Sequence, residues 1–496
     1  MQHNPFFKFS LFLSFLILFT ACSNLKKEAQ QKPNILLIFA DDQRADALSI
    51  AANPYIKTPH IDELANSGTR FQNSYVMGGH HGAICAPSRA MLLSGKSLFH
   101  VYDRLDGVET LPHYLSTLGY ETFATGKWHN GASSFEANFQ QGNQIMLGGM
   151  SDHFNVPLRN LDSKQKLGTV QKDGFSTDLF ADAALDYLDR YKASESKDPF
   201  FCYIAFTAPH DPRSPAPDYA DAFAEDEIPL SPNFAPLHPF RFDNFNVRDE
   251  TLAPWPRTPK DIQSSLAEYY ALIQHIDDRV GDLIARLKKH KLFDNTLIIY
   301  AADNGLAIGS HGLLGKQNLY EHSTKVPLII SGPGIPKDKT SDALVYLFDL
   351  FPTLVDYLEF PMPPQIDGKS LMKLIKGEEN QVRSSLYTAY RNTVRAVRDQ
   401  EWKLIRYPQI DVSQLYHLTQ DPYERNNLAE NPKYDSKVNE LMMLLNKHRH
   451  ATDDTINMNP KRIQSKEYDY RKLIQKLDPW QPPYIIEKYF PKGTKR

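Results

Sequence analysis

The sequence predicts an α/β protein: a large, mostly parallel sheet sandwiched by helices, followed by a smaller C-terminal α+β lobe carrying an antiparallel sheet. Three observations predict it. Asn34 to Ala40 (NILLIFA), Phe200 to Thr207 (FFCYIAFT) and Thr296 to Ala302 (TLIIYAA) are continuous apolar runs, the pattern of strands buried on both faces. Leu266, Tyr269, Ile273, Ile276, Val280, Leu283 and Leu287 step by three and four, which lays one apolar stripe along a helix. After Gly377 the character changes to short alternating segments such as Ala396 to Tyr407 (AVRDQEWKLIRY), read as an antiparallel sheet.

Length and composition agree with this class. A chain of 496 residues holds one large domain and a small second one. Apolar residues at 41% and charged residues at 23% exclude disorder and coiled coil. Lys and Arg total 56 against 59 Asp and Glu, a formal charge of −3, so a general nucleic-acid binder driven by counterion release is not expected. Three cysteines cannot build a disulfide scaffold.

From the N-terminus, Lys8 precedes the apolar stretch Leu11 to Phe19, too short to span a bilayer but suited to the core of an export signal. Thr20-Ala21-Cys22 resembles a bacterial lipobox, with Cys22 lipidated, although Phe19 stands where an aliphatic residue is usual. A plain cleaved signal with an incidental cysteine is the other reading. The expected organisation is a signal peptide over 1–21, a polar tether over 22–32, a main domain over 33–377 and a C-terminal subdomain and tail over 378–496. The mature protein is expected outside the cytoplasm, in the periplasm or at the cell surface, touching membrane only through that anchor. Asp211 to Lys260, rich in Pro, Phe and Asp, reads as a cleft wall, and the basic, aromatic tail from Asn457 to Arg496 is expected to wrap back over the molecule. Within the strands, Cys202 reads as a core residue.

Ligands of a parallel sheet bind beyond the carboxyl ends of its strands. Asp41 and Asp42 follow the first apolar run, and Asp303-Asn304-Gly305 follow the third. Three carboxylates and an amide oxygen make a hard oxygen site, favouring Ca²⁺, with Mg²⁺ second, over zinc.

The segment from Cys85 to Lys96 (CAPSRAMLLSGK) resembles the signature of type I sulfatases, in which C-x-P-S-R is followed by an apolar turn and a Gly. Ser94 and Lys96 stand where Thr and Arg are commoner. Pro87 is expected at a first helical position, which sets residue 85 beside free amide donors and the positive end of a helix. The resemblance continues in Gly126-Lys127-Trp128-His129, Ala208 to Pro212 (APHDP), His311-Gly312, Gly315-Lys316, Tyr320-Glu321 and the C-terminal Leu415 to Leu428 stretch. It implies the alkaline phosphatase-like fold and a maturation enzyme that oxidises Cys85 to formylglycine. It further implies one Ca²⁺ held by Asp41, Asp42, Asp303 and Asn304 with an oxygen of residue 85.

By the same resemblance Arg89 orients residue 85, Lys127 and Lys316 clamp sulfate oxygens, His129 serves as base and His210, alone or with Lys316, protonates the leaving alkoxide. His80, His81, Arg213 and His311 are candidate substrate contacts by their nearness in sequence. Arg241, Arg248 and Arg257 in the long loop suit a sulfated oligo- or polysaccharide, algal (ulvan or carrageenan) or a glycosaminoglycan. Trp480 and Tyr484 in the tail could stack on sugar or pack internally. The competing readings are a phosphate or phosphonate ester hydrolase on the same fold and a non-catalytic glycan-binding lipoprotein.

Overall fold

The computed structural model describes residues 32–171, 174–242, 247–473 and 477–490; the expected signal, Cys22 and nearly all of the tether lie outside them. The three apolar runs form strands β1 (Asn34–Ala40), β5 (Phe200–Ala205) and β6 (Thr296–Ala302), every residue of which is buried. With β2 (Gly68–Phe71), β3 (Glu121–Lys127), β4 (Gln141–Met146), β7 (Leu328–Ser331) and β8 (Lys339–Ser341) they make an eight-stranded sheet ordered β8-β2-β7-β6-β1-β5-β3-β4. The strands from β6 to β4 run parallel, and β7 runs antiparallel to both its neighbours. Leu37 of β1 stands opposite Tyr203 of β5 and Ile299 of β6, so β1 lies at the sheet's centre.

Helices cover this sheet. The predicted stripe lies on the 31-residue helix Pro259–Lys289, and all seven of its residues are buried. Thr258 caps that helix by accepting from the Asp261 amide at 3.1 Å, with Pro259 at its first position. Its neighbour Ser176–Ala193 is bonded to it through His275 and Asp178 at 2.8 Å and through the Arg279–Asp182 and Arg286–Asp189 ion pairs.

The C-terminal lobe holds the antiparallel meander β9 (Leu386–Tyr390), β10 (Val394–Arg398), β11 (Trp402–Tyr407) and β12 (Val412–His417), covered by the helix Asp435–Ala451. The alternating stretch 396–407 is thus the end of β10, a turn and β11. The meander's fifth strand is Gly78–Gly79, which pairs in parallel with β9 and comes from the segment just ahead of Cys85. A side chain at Gly78 (φ +111°) would place its Cβ 2.0 Å from the Ala389 carbonyl oxygen, so only glycine permits this join. The two lobes are therefore tied at the strand entering the Cys85 segment rather than simply abutting near residue 377. The tail does return: Tyr489 and Ser265 share a 2.7 Å hydroxyl bond, and Lys488 reaches Glu268 at 2.8 Å.

Candidate active site

The carboxyl ends of four neighbouring strands converge. Ala40 and Ala302 are register partners, so Asp41 and Asp303 emerge side by side. The Asp42 amide donates to Asp303 Oδ1 at 3.0 Å, with Asp42 held at φ +67°. Lys127 ends β3, and His210 follows β5 by a short loop whose Ala208 carbonyl accepts from the Asp41 amide at 3.1 Å.

Opposite them, the helix α1 (Cys85–Ser94) is buried along its whole length and ends at Gly95 in the left-handed region. Cys85, not Pro87, is its first residue. The expectation of Pro87 at that position is corrected: Pro87 sits third, where its missing N–H still costs nothing because the first turn's amides have no intrahelical partner. The consequence drawn for residue 85 is unchanged, since it occupies the helix N-terminus directly.

The Cys85 thiol donates to Asp41 Oδ1 at 3.2 Å, and Lys316 Nζ lies 3.0 Å from its sulfur and 2.6 Å from Asp42 Oδ1. Lys127 pairs with Asp41, and Arg89 Nη2 with Asp303 Oδ2 at 3.0 Å. Arg89 Nη1 also donates to the Lys127 carbonyl at 2.9 Å and the Tyr203 hydroxyl at 3.1 Å, fixing the guanidinium beneath the site. Three carboxylates and three cations are thus packed out of water.

Their proton affinities follow. Burial and the neighbouring Asp303 push Asp41 up to about 8, and burial raises Asp42 despite Lys316. Asp303 is also raised by burial, but Arg89, Lys127 and Lys316 outweigh that and hold it low. Burial, with Asp303 and Asp41, pushes the Cys85 thiol well up, so the unmodified cysteine is a poor nucleophile here.

The histidines are neutral. His129, at φ +61°, is pulled down to about 2 by burial and the surrounding cations. Its ring lies so close to Gly149 that a Cβ there would stand 2.7 Å from the imidazole. His210 is held well below its ordinary value by burial and Lys316. A carbonyl can only accept, so the 2.8 Å contact to the Asp211 carbonyl puts the His210 proton on Nδ1 and leaves a lone pair on Nε2, 3.6 Å from Asp42 Oδ2.

The donor set fits a hard divalent cation. Asp42 Oδ2 and Asn304 Oδ1 are buried acceptors without a hydrogen-bond donor, and His210 Nε2 faces the first of them. Ligand atoms of Asp41, Asp42, Cys85 and His210 lie within 4.8 Å of one another. His210 Nε2 borders the oxygen set expected from sequence, 3.6 Å from Asp42 Oδ2. Asp303 lies beside this group and outside it, and already accepts from Arg89 and the Asp42 amide.

Above Cys85 opens a cavity of about 260 Å³, with His129, His210, Lys316, Arg248, Asp249 and Gln317 in its walls. Gln317 Nε2 donates to Asp249 Oδ2 at 2.7 Å and to the Gly82 carbonyl at 2.9 Å. Asp249 and Gln317 carry no signal in the sequence, being single polar residues in loops. The four candidate substrate contacts do not line this cavity. His80 donates to the Leu98 carbonyl at 2.8 Å, and His81 pairs with Asp103 beside the rim. Arg213 is buried near Glu268 and Tyr489. His311 stacks on Tyr320, centroids 3.9 Å apart, at the tip of a hairpin that carries it away from Lys316. Of the three loop arginines, Arg257 is buried on Glu250 at 2.7 Å and cannot meet substrate, Arg241 does not line the cavity, and Arg248 does. Cys202 is buried in β5, and Trp480 is 70% exposed rather than packed inside.

Residues 33–360 match the sulfatase family, and residues 309–451 match the C-terminal region of N-sulphoglucosamine sulphohydrolase. The chain is 27% identical over 509 residues to an N-acetylglucosamine-6-O-sulfatase of Bacteroides thetaiotaomicron, covering 86% of this chain and 88% of that one. It is 30% identical over 488 residues to the N-acetylglucosamine-6-sulfatase of Capra hircus, covering 84% of each. A solved structure of a protein in complex with its substrate D-glucosamine-2-N,6-O-disulfate superposes with a TM-score of 0.73 at 25% identity, covering 86% of this chain and 99% of that one.

Proposed function

The chain belongs to the sulfatase family, and on that premise we propose that it hydrolyses an O-sulfate ester of a sulfated sugar, using Cys85 matured to formylglycine and a Ca²⁺ held by Asp41, Asp42, Asp303 and Asn304. The observation that carries this reading is the placement of Cys85 at a helix N-terminus, on a cavity floor, between two paired lysines and the strand-end acids.

When formed, the hydrated aldehyde at position 85 would supply a nucleophilic hydroxyl and a second hydroxyl on the same carbon. A cation held by these acids would supply positive charge to the site. The chain's own residues do the rest. Lys316, fixed on Asp42 in the cavity wall, meets the sulfate oxygens already oriented, where negative charge builds up, and Lys127, fully buried on Asp41, adds its charge from outside the lining. Arg89 cannot lose its proton and braces Asp303 from beneath. His129, neutral and with Nδ1 unpartnered, can take the proton from the second hydroxyl. The lone pair on His210 Nε2 faces the acids; to protonate the leaving alkoxide it must first take up a proton.

The substrate is proposed to be a single sulfated sugar residue at a chain end, because a cavity of about 260 Å³ falls just below the usual range of ligand pockets. The glucosamine-6-sulfate relatives support a glycosaminoglycan, and an ulvan-active relative of comparable identity keeps an algal polysaccharide as the second reading. Export to the periplasm or cell surface with a lipid on Cys22, and the division into domains at residue 377, complete the proposal. Mass spectrometry of the Cys85 peptide from the native host tests the chemistry, and the aldehyde mass is expected. Turnover of a panel of defined sulfated saccharides tests the substrate. A free thiol there, or an active Cys85→Ala variant, overturns the mechanism.

A further inference from the structure

A second cavity, of about 500 Å³, opens between the loop after β1, strand β2 and the C-terminal lobe, and shares no lining residue with the cavity above Cys85. Most charges in its wall are already matched. Arg44 pairs with Asp46 at 2.7 Å, Arg398 with Glu321 at 3.2 Å, and Glu424 is held by Lys403 at 2.8 Å. Two cations remain outside these pairs, with Asp62 acting at longer range on Arg70 and with Glu321 and Asp46 acting on Lys325. Arg70 and Lys325 line the cavity, yet neither side chain makes an ion pair or hydrogen bond with any of the described residues. Burial lowers the proton affinity of both, the mark of cations partly stripped of water. A wall with spare, partly dried cations attracts an oxyanion.

The volume says more. It lies within the range of small-molecule pockets, well beyond what an inorganic anion fills. Tyr423, 41% exposed, lines the same cavity together with Pro422 and Leu418, giving its wall an aromatic and apolar part as well as the cations. An aromatic face with adjacent charge suits a ligand having one apolar surface and one anionic substituent.

We propose that this cavity is a second carbohydrate site, separate from the catalytic one, that takes a sugar residue bearing a carboxylate or sulfate, with Arg70 and Lys325 receiving the oxyanion and Tyr423 stacking on the ring. Such a site would hold a charged polymer while the Cys85 cavity works on its end. It extends the sulfatase reading but does not need it, because a carboxylated sugar carries no ester to cleave.

Calorimetric titration of the full chain tests this with glucuronate, glucose 6-sulfate and inorganic sulfate as probes, on wild type and on Cys85→Ala. Saturable binding of glucuronate, of glucose 6-sulfate or of both is expected, unchanged by Cys85→Ala. It should weaken about tenfold or more in the Lys325→Gln, Arg70→Gln double variant. Tyr423→Ala, at an exposed position, should weaken sugar binding severalfold and leave any inorganic sulfate binding untouched. Unaltered turnover of a small aryl sulfate by Lys325→Gln shows that the fold and the catalytic reading stand apart from this result. Binding of inorganic sulfate alone, binding lost in Cys85→Ala, or sugar binding indifferent to all three substitutions overturns the proposal.

Discussion

Asp478 Oδ2 lies 2.8 Å from Arg248 Nε and 2.7 Å from Arg248 Nη2, joining the C-terminal segment to the wall of the Cys85 cavity across 230 residues of sequence. The other guanidinium donors go to Asp211 and Asp249, so three carboxylates saturate one arginine. Gln481 adds a 2.6 Å bond to Asp211 Oδ2, and the Asp211 carbonyl holds His210 Nδ1. The tail therefore helps to orient a histidine of the site. Asp478→Asn should lower kcat/KM by roughly tenfold, while thermal stability falls only modestly because Arg248 keeps the Asp211 and Asp249 carboxylates as counter-ions. Steady-state kinetics beside a melting curve decide it; an unchanged kcat/KM would show that Arg248 holds its place without the tail.

A divalent cation should stabilise the folded chain. Asp42 Oδ2 and Asn304 Oδ1 are buried without donors, and three carboxylates crowd one another beside them. Ca²⁺ would satisfy those acceptors and relieve that repulsion, so adding it should raise Tm and a chelator should lower it. At a hundredfold excess over Kd the gain is about 2.7 kcal/mol. Asp42→Asn should remove the calcium-dependent shift; a wild-type melting curve indifferent to both calcium and chelator would count against a metal here.

What was legible in the sequence is what local periodicity records. The runs in β1, β5 and β6 are buried on both faces and so are apolar throughout, and the stripe from Leu266 to Leu287 is one helix face. Because ligands gather beyond strand ends, Asp41, Asp42, Asp303 and Asn304 could be singled out, the family resemblance added His210, and they do meet. Nearness in sequence failed where the chain doubles back. The amides of Ala307, Ile308 and Gly309 bond to the carbonyls of Gly315, Leu314 and Leu313, making a hairpin with His311 at its tip while Lys316 returns to Cys85. Gly78–Gly79 is too short to show any period, so its membership of the second sheet was invisible. Asp249 and Gln317 owe their place to loops, whose path no residue pattern encodes.

Stability should fall in mild acid because of histidines gathered around Tyr320. Burial holds His311 at about 3 and His238 at about 4, against 6.5 for a free imidazole, and His322 lies well below it too. The folded pKa values are depressed, so the unfolded chain binds the extra protons. The contribution is fully present above about pH 6.5 and is lost as pH falls toward 4. Tm measured from pH 8 to 4.5 should drop below pH 6.5, and His238→Gln should flatten that slope whatever its effect at pH 8. Parallel slopes for the two proteins would place the acid sensitivity elsewhere.

The largest loss of stability in the C-terminal lobe should come from Asp454. Its carboxylate pairs with Arg395 through Nε and Nη2, the latter at 3.0 Å, and accepts from the Tyr387 hydroxyl at 2.5 Å. The side chains of Arg395 and Asp454 are 1% and 3% exposed, so the pair links β9 and β10 to the segment after the covering helix with almost no access to water. Asp454→Ala leaves a buried guanidinium without its counter-ion, which costs about 3–5 kcal/mol when one partner of a buried pair is removed. Replacing both, as Arg395→Met with Asp454→Leu, removes the stranded charge, so the double variant should recover a large part of what the single one loses. Urea unfolding of the wild type, the single and the double variant measures the difference. A double variant no more stable than Asp454→Ala would mean that the lobe depends on the shape of this ion pair and not on neutralising Arg395.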